Sequence, residues 1–302
     1  MQDVLIKAGC FIGIIILGFL LRRFGFFKEG DFQILSKITL KITLPAAIVV
    51  SFSQIEVQAS MLTISLIALL CGILYMIIAF VINSRADRKR QAFEVLNLPG
   101  YNIGLFAMPF VGGFMGAIGS VTTSLFDTGN AFVCLGGSYG VASSINDGSG
   151  FSGKRIIKAL VTSMPFMTYI VMILLNLLGL KLPSPVISYA ETIRGANTFM
   201  AMLMLGVGFK LEANKSQIFQ IVKLVLIRYT VAAILACVFY FLLPFSLEIR
   251  QTLVLLAFSP IGAAVPAFTA EMKGDFGLSS AVNSICILCS IVFMTVLMLV
   301  ML

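Results

Sequence analysis

Long apolar stretches constrain this chain more than any other feature of its sequence. A helix needs about 20 apolar residues to cross the hydrocarbon core of a bilayer. With 59% hydrophobic and only 11% charged residues, the chain is too apolar for water to be its main solvent. The sequence therefore predicts an all-α integral membrane protein with ten transmembrane helices, at 4–21, 36–54, 60–83, 92–116, 120–144, 157–179, 186–209, 217–243, 251–272 and 278–301.

The lysines and arginines of the loops predict the orientation of these spans. Cytoplasmic loops carry an excess of positive charge, and the even-numbered loops here hold only Lys181 and Arg250. The basic residues of the odd-numbered loops are Arg22, Arg23, Lys28, Arg85, Arg88, Lys89, Arg90, Lys154, Arg155, Lys158, Lys210, Lys215 and Lys273. We therefore expect a multi-pass protein of the cell inner (plasma) membrane with both termini on the non-cytoplasmic side. Because the net charge of +8 is concentrated in these loops, it does not indicate binding to nucleic acid.

A Gly/Ser-rich linker divides the chain at its midpoint. Residues 145–153 read INDGSGFSG, and we assign 146–156 to a cytoplasmic linker between two halves, 1–145 and 157–302. Each half has five spans, and because five is an odd number the second half must enter the membrane in the opposite orientation. Two inverted five-helix repeats of this kind occur in many secondary transporters.

Proline and glycine interrupt the fourth and ninth spans, which an inverted repeat makes equivalent. Proline inside a helix removes a backbone hydrogen bond. Irregular backbone at membrane depth is tolerated only where protein or a water-filled cavity satisfies it. We therefore predict that helices 4 and 9 are broken, with a binding site near the middle of the membrane; an ordinary proline kink is the alternative. The residues predicted to bind substrate there are Asn102, Gly104, Pro109, Ser259, Pro260 and Pro266.

Ionisable side chains inside a span are costly and are therefore functional candidates. Asp127 and Asn130 in span five share a helix face at a spacing of three residues. A carboxylate there could take up a proton or help to bind a cation, and Asn283 in span ten is its neutral near-counterpart; a structural hydrogen-bond hub is the alternative. If transport is coupled to an ion, we expect H⁺ or Na⁺ to act at these three residues; uniport is the alternative. Arg228, deep in span eight, is a candidate for binding an anionic substrate.

The sequence lacks the marks of an enzyme or a metalloprotein. Histidine is absent, which removes the usual metal ligand and the usual proton carrier near neutral pH. The six cysteines fall in apolar stretches, where packing between helices is the expected role, and no catalytic motif occurs. We expect no catalytic residues, no metal and no cofactor.

Four segments of the chain resemble the auxin efflux carrier (PIN-like) family. They are Leu44–Ala46 in span two, Asn102–Pro109, Asp127–Asn130 and Ser259–Pro266. The short central linker is similar to that of bacterial members. The resemblance implies a scaffold of spans 1, 2, 6 and 7 and a moving transport domain of spans 3–5 and 8–10. This architecture is similar to that of sodium–proton antiporters and bile-acid transporters, with elevator-type alternating access. It also implies that the broken helices 4 and 9 cross, and that Asn102 and the prolines of this crossing line the substrate site. Substrates such as malate or malonate are implied as well.

We therefore expect a secondary active transporter for small organic anions, such as dicarboxylates or auxin-like carboxylic acids. A sodium-coupled symporter of the bile-acid type is an alternative, although the face of Asp127 and Asn130 offers few sodium ligands. A channel or a membrane-embedded sensor is an alternative of another class. The expected partners are the organic anion and the lipid bilayer, and the scaffold domain leaves room for a homodimer.

Overall fold

The regular structure of this chain is entirely helical. The computed structural model describes residues 2–28, 30–148, 152–210 and 215–301, and no β-strand occurs within these ranges. The predicted all-helical class is therefore confirmed for the described residues. Three residues of the predicted linker, 149–151, lie outside them.

The α-helices are numbered in chain order. They are α1 (Gln2–Arg23), α2 (Asp31–Ile38), α3 (Leu44–Ser53), α4 (Thr63–Ile82), α5 (Arg88–Asn97), α6 (Met108–Gly112), α7 (Gly116–Phe132), α8 (Ser138–Asp147), α9 (Gly153–Thr162), α10 (Met164–Leu177), α11 (Ser184–Arg194), α12 (Asn197–Gly208), α13 (Lys215–Leu242), α14 (Leu247–Ala257), α15 (Val265–Glu271) and α16 (Phe276–Met301). Short π-helical segments at Thr39–Thr43, Ile103–Ala107 and Val133–Gly137 join α2 to α3, precede α6 and join α7 to α8.

Five helical stretches among the described residues are long and apolar enough to cross a membrane. They are Leu5–Arg23, Asp31–Ser53, Ala59–Ile82, Gln217–Leu242 and Phe276–Met301. Their outer faces are apolar: on α4, Leu66, Leu70 and Ile77 are each more than half exposed. Large apolar side chains exposed in rows of this kind require a lipid environment rather than water.

The other predicted spans are interrupted helices. The pair α9 and α10 forms a sixth candidate span, bent by 76° at Ser163. The predicted spans four, five, seven and nine occur as pairs of shorter helices, none of which meets the length criterion alone. The described helices thus establish a membrane protein with five or six spans by length and composition. The count of ten spans and the inverted repeat stay predictions.

The prolines of the fourth and ninth spans differ in where they lie relative to the breaks. Pro109 lies inside the helical run Ile103–Gly112, which joins a π-helical segment to α6, and Pro266 stands in the first turn of α15. The missing N–H of Pro266 costs nothing, because the first backbone donors of a helix have no acceptor within it. The fourth span is interrupted earlier, at residues 98–102, where the backbone leaves the helix after α5. Only Pro260 lies inside a break, at 258–264 between α14 and α15.

Many of the helix contacts fall within two groups, and the groups also meet where α3 and α10 pack on α7 and α1 packs on α16. In one group α1 contacts α12, and α3 contacts both α10 and α11; in the other, α4 packs on α7, α5 on α8, α13 on α14 and α15 on α16. Glycines allow the closest approaches. A Cβ atom added to Gly206 of α12 would collide with the carbonyl oxygen of Ile15 on α1, and one added to Gly129 of α7 would collide with that of Ser65 on α4. Such small residues at helix contacts replace the hydrophobic driving force that is missing between helices in lipid.

Candidate functional site

The two interrupted spans meet at their breaks. The backbone N–H of Asn102, the last residue of the first break, donates a hydrogen bond to the carbonyl oxygen of Pro260 in the second break, at 2.8 Å. Both residues belong to segments that have left the helical conformation and whose polar groups must find partners elsewhere. The two breaks therefore lie at the same depth and in direct contact.

Arg228 of α13 holds the two breaks together. Its guanidinium donates to the carbonyl oxygens of Leu98 at 2.7 Å, Gly100 at 2.9 Å and Ser259 at 2.7 Å. The residue is only 1% exposed. The centre of its guanidinium lies 5.4 Å from the ring of Tyr75 and 5.1 Å from that of Tyr101. A buried charge is tolerated because these carbonyls and rings replace water around it.

These contacts do not support the predicted role of Arg228 in anion binding. Both terminal nitrogens are already bonded to backbone carbonyls, and the residue is not part of the cavity described below. Its position indicates instead a structural clamp on the crossing. The spacing of residues along the chain could not reveal this role, because the three carbonyls come from segments distant in sequence.

Asn130 of α7 fixes the segment that leads into the crossing. Its side-chain oxygen accepts a hydrogen bond from the N–H of Tyr101 at 2.9 Å, and its side-chain nitrogen donates to the carbonyl of Tyr101 at 2.8 Å. The same nitrogen donates to Oδ1 of Asp127 at 2.9 Å. The amide of Asn130 thus satisfies both backbone polar groups of Tyr101, and it also orients the carboxylate of Asp127.

The carboxylate of Asp127 has a second partner that sequence reasoning missed. The hydroxyl of Tyr169, on α10, donates to Oδ2 of Asp127 at 2.9 Å. Tyr169 is 1% exposed and belongs to the other group of helices. Nothing in the local sequence signals this contact, since a tyrosine in an apolar span is most often a packing residue.

A cavity of about 320 Å³ opens beside these groups. Its apolar wall includes Leu44, Leu105, Phe166 and Val265. Among the described residues that line it, none is a lysine or an arginine, and Asp127 is the one carboxylate. The polar side chains of the lining are Ser36, Tyr101, Asn102, Asp127, Asn130, Ser163 and Tyr169, with Cys134 beside them.

At both breaks, residues that line this cavity carry hydrogen-bond donors without a partner among the described residues. The side-chain nitrogen of Asn102 is buried without a partner among the described residues, and Asn102 is 4% exposed. The helical run Ile103–Gly112 begins directly after it, and the first backbone N–H groups of a helix lack acceptors within it. Across the crossing, the N–H groups of 262–264 likewise have no acceptor in the described part of the chain. A small acceptor-rich ligand such as a carboxylate would satisfy these donors.

The structure brings together four of the ten predicted site residues at this cavity. Asn102, Gly104, Asp127 and Asn130 line it. The others lie outside the lining: Pro109 inside the helical run Ile103–Gly112, Pro266 in the first turn of α15, Ser259 and Pro260 in the second break with their carbonyls bonded, Arg228 bonded to the carbonyls of the crossing, and Asn283 on α16 with its Oδ1 buried and unpaired among the described residues.

A second buried carboxylate, Glu94 of α5, is balanced by a lysine. Its oxygens lie 2.8 and 2.9 Å from Nζ of Lys223 on α13, and Asn83 bonds to both side chains. Glu94 is 2% exposed. Unlike Glu94, which meets Lys223 and lies 3.5 Å from Nε of Arg90, Asp127 has no basic side chain in an ion pair with it among the described residues.

Comparison with known proteins finds archaeal relatives that are named as transporters. No protein-family model matches it. It is 25% identical over 217 residues to an uncharacterized transporter of Methanocaldococcus jannaschii, covering 68% of this chain and 69% of the relative. It is 24% identical over 199 residues to an uncharacterized transporter of Methanothermobacter thermautotrophicus, covering 64% of each protein. The chain is therefore a multi-pass, all-helical membrane protein that is similar to archaeal proteins named as transporters.

Proposed function

We propose that this protein is a secondary active transporter that carries a small organic anion, such as a dicarboxylate or an auxin-like carboxylic acid, through the cavity at the crossing. One observation carries the proposal. The residues that line one cavity carry the side-chain amide of Asn102 and backbone N–H groups of both breaks, and these donors have no partner among the described residues. Broken helices with binding groups at their ends are the usual substrate site of secondary transporters. The similarity to proteins named as transporters supports the same function.

The proposed architecture has ten spans in two inverted halves, with both termini on the non-cytoplasmic side of the inner membrane. The bond between Asn102 and Pro260 supports it, since the breaks in the fourth and ninth predicted spans meet as equivalent elements of an inverted repeat should. Under this proposal the chain resembles the PIN-like carriers in its fold as well as in its motifs.

Elevator-type movement is the proposed mechanism of alternating access. Helices α1–α3 and α9–α12 would form the scaffold, and α4–α8 with α13–α16 would move. The packing of helices within these two groups supports this division. A few polar contacts join them, among them the bond from Tyr169 to Asp127 and an ion pair of 2.6 Å between Arg155 and Glu271 at exposed positions. So few bonds between the groups would allow one to slide past the other.

Uptake into proteoliposomes tests the proposed function. Purified protein is reconstituted, and entry of labelled malate, malonate, an auxin-like acid and a bile acid is measured under imposed proton, sodium and potential gradients. We expect saturable uptake of at least one small acid. Asn102→Ala should raise the half-saturating concentration at least tenfold, because an amide donor to a charged ligand contributes about 1.5–3 kcal/mol.

The matched control is Gln33→Ala, which removes an exposed side-chain amide on α2 away from the cavity. It should leave the half-saturating concentration unchanged. Flux that rises linearly with concentration for every acid would indicate a channel or a leak and would contradict the carrier.

A further inference from the structure

The cavity has an unusual charge balance for a site that receives an anion. Asp127 is the one charged side chain among the described residues that line it. Arg228 is directed to the carbonyls of the crossing, and Lys41, on the same stretch as Leu44, is exposed and outside the lining. No positive side chain therefore offsets the carboxylate within the cavity.

The other titratable groups near Asp127 are neutral near pH 7. The helices α3 and α6, which pack on α7, carry no titratable side chain. The titratable side chains of α14 are Glu248 and Arg250, which lie in the first turn of that helix, and Arg250 is bonded to the carbonyl of Tyr240. Those of α9 are exposed. The groups that face α7 from its neighbours are Cys71 and Tyr75 on α4, Tyr101 in the first break, Cys134 after α7 and Tyr169 on α10.

A second negative charge in this cavity would be strongly disfavoured. Two like charges about 4 Å apart, at the effective dielectric constant of a partly buried site, weaken binding roughly a thousandfold, and at twice that distance still about thirtyfold. Protonation of Asp127 removes this penalty. It also leaves one more hydrogen-bond donor for the incoming carboxylate.

We propose that the cavity loads an organic anion only together with a proton on Asp127, so that a monoanion and one proton cross the membrane as a pair. This inference rests on the proposed function and adds the coupling ion and its stoichiometry. The proton comes from the solution that faces the cavity, resides on the carboxylate during the movement, and is released with the anion on the other side. For a monoanion the step is electrically neutral.

Tyr169 is the positioning residue of this mechanism. Its O–H bond to Oδ2 is strongest when Asp127 is ionised, because hydrogen bonds to charged acceptors are about twice as strong as those between neutral groups. The empty, ionised site is therefore held against the facing helix group. A protonated and loaded site holds that contact less tightly, so movement follows loading.

Proton flux measured together with uptake tests the inference. Proteoliposomes containing a pH-sensitive dye receive labelled malonate, malate or an auxin-like acid at a series of external pH values. We expect saturable uptake to acidify the interior, with one proton per monoanion carried, and to be accelerated by an inward proton gradient but not by sodium. Asp127→Asn should retain exchange of internal for external substrate and lose the dependence on pH.

Tyr169→Phe separates coupling from mere stability. Loss of the bond to the ionised carboxylate should move the pH of half-maximal uptake upward by about one unit, since one hydrogen bond to a charged group is worth about 1.5 kcal/mol. The matched control is Tyr189→Phe, an exposed tyrosine on α11, which should leave the profile in place.

Saturable uptake without proton flux, uptake driven by sodium, or a pH profile that Tyr169→Phe leaves unchanged would each overturn the proton coupling while the carrier itself stands. Absence of saturable uptake for every acid would overturn both proposals.

Discussion

Replacing Arg228 by methionine should destabilise the crossing more than any other single change of a polar residue. Methionine fills a similar volume but donates no hydrogen bond, so the carbonyls of Leu98, Gly100 and Ser259 lose their partner in the interior. Three bonds from a charged donor are worth roughly 4–9 kcal/mol together. The variant no longer bears the cost of removing the guanidinium from water, and this offsets part of the loss. We expect a net loss of about 4 kcal/mol in the free energy of unfolding.

Thermal unfolding in detergent measures this loss. The buried thiols of Cys71 and Cys286 report the transition with a thiol-reactive dye, since they are free and become accessible on unfolding. At about 2.1 cal/mol/K of unfolding entropy per residue, a loss of 4 kcal/mol lowers the Tm of a chain of this length by about 6 °C.

Two further variants distinguish a clamp from an anion site. Arg250→Met is the matched control, because that guanidinium bonds a single carbonyl, that of Tyr240, and should lose a third as much stability or less. Arg228→Lys keeps the charge but loses the branched guanidinium that reaches several carbonyls at once, so its Tm should lie between those of the wild type and Arg228→Met. A wild-type Tm for Arg228→Met with abolished uptake would refute the clamp and restore the predicted role in anion binding.

Other contacts lead to further predictions. Glu94→Gln should lower the free energy of unfolding by about 2 kcal/mol by removing the charged partner of the partly buried Lys223, and the double variant with Lys223→Met should recover part of that loss in the same thermal assay. Additive losses would mean that the two side chains do not act as a pair. Gly206→Ala should lower the Tm by separating α1 from α12 at Ile15, whereas Gly13→Ala, with no atom within 4 Å of the added methyl group, should not; equal melting temperatures would contradict the close packing of these helices.

The sequence predicted the site best where the relevant geometry is local. Asp127 and Asn130 are one turn apart, and helical periodicity alone places them on one face beside the interrupted fourth span. Asn102 and Gly104 stand next to a break that the composition of the segment indicated. Pro266 was a less informative marker than Asn102 or Pro260, because proline is as compatible with the first turn of a helix as with an interruption.

Partners that meet only in the folded chain could not be predicted from the sequence. Tyr169 lies 42 residues from Asp127, and no periodicity relates them. Arg228 looked like an unpaired charge because its partners are backbone carbonyls, which every residue possesses and no sequence pattern marks. The pairing of Glu94 with Lys223 escaped notice because 129 residues separate the two side chains.

The clamp at the crossing also has a consequence for the synthesis of the protein. The carbonyls of Leu98 and Gly100 accept hydrogen bonds from Arg228, which is 130 and 128 residues further along the chain. The N–H of Asn102 donates to the carbonyl of Pro260, which also belongs to the second half. While the first half leaves the ribosome, these groups have no partner in the membrane. We expect the first half expressed alone to be degraded, and its abundance to recover when the second half is produced beside it as a separate chain. Equal abundance with and without the second half would show that the first break is satisfied before its partners arrive.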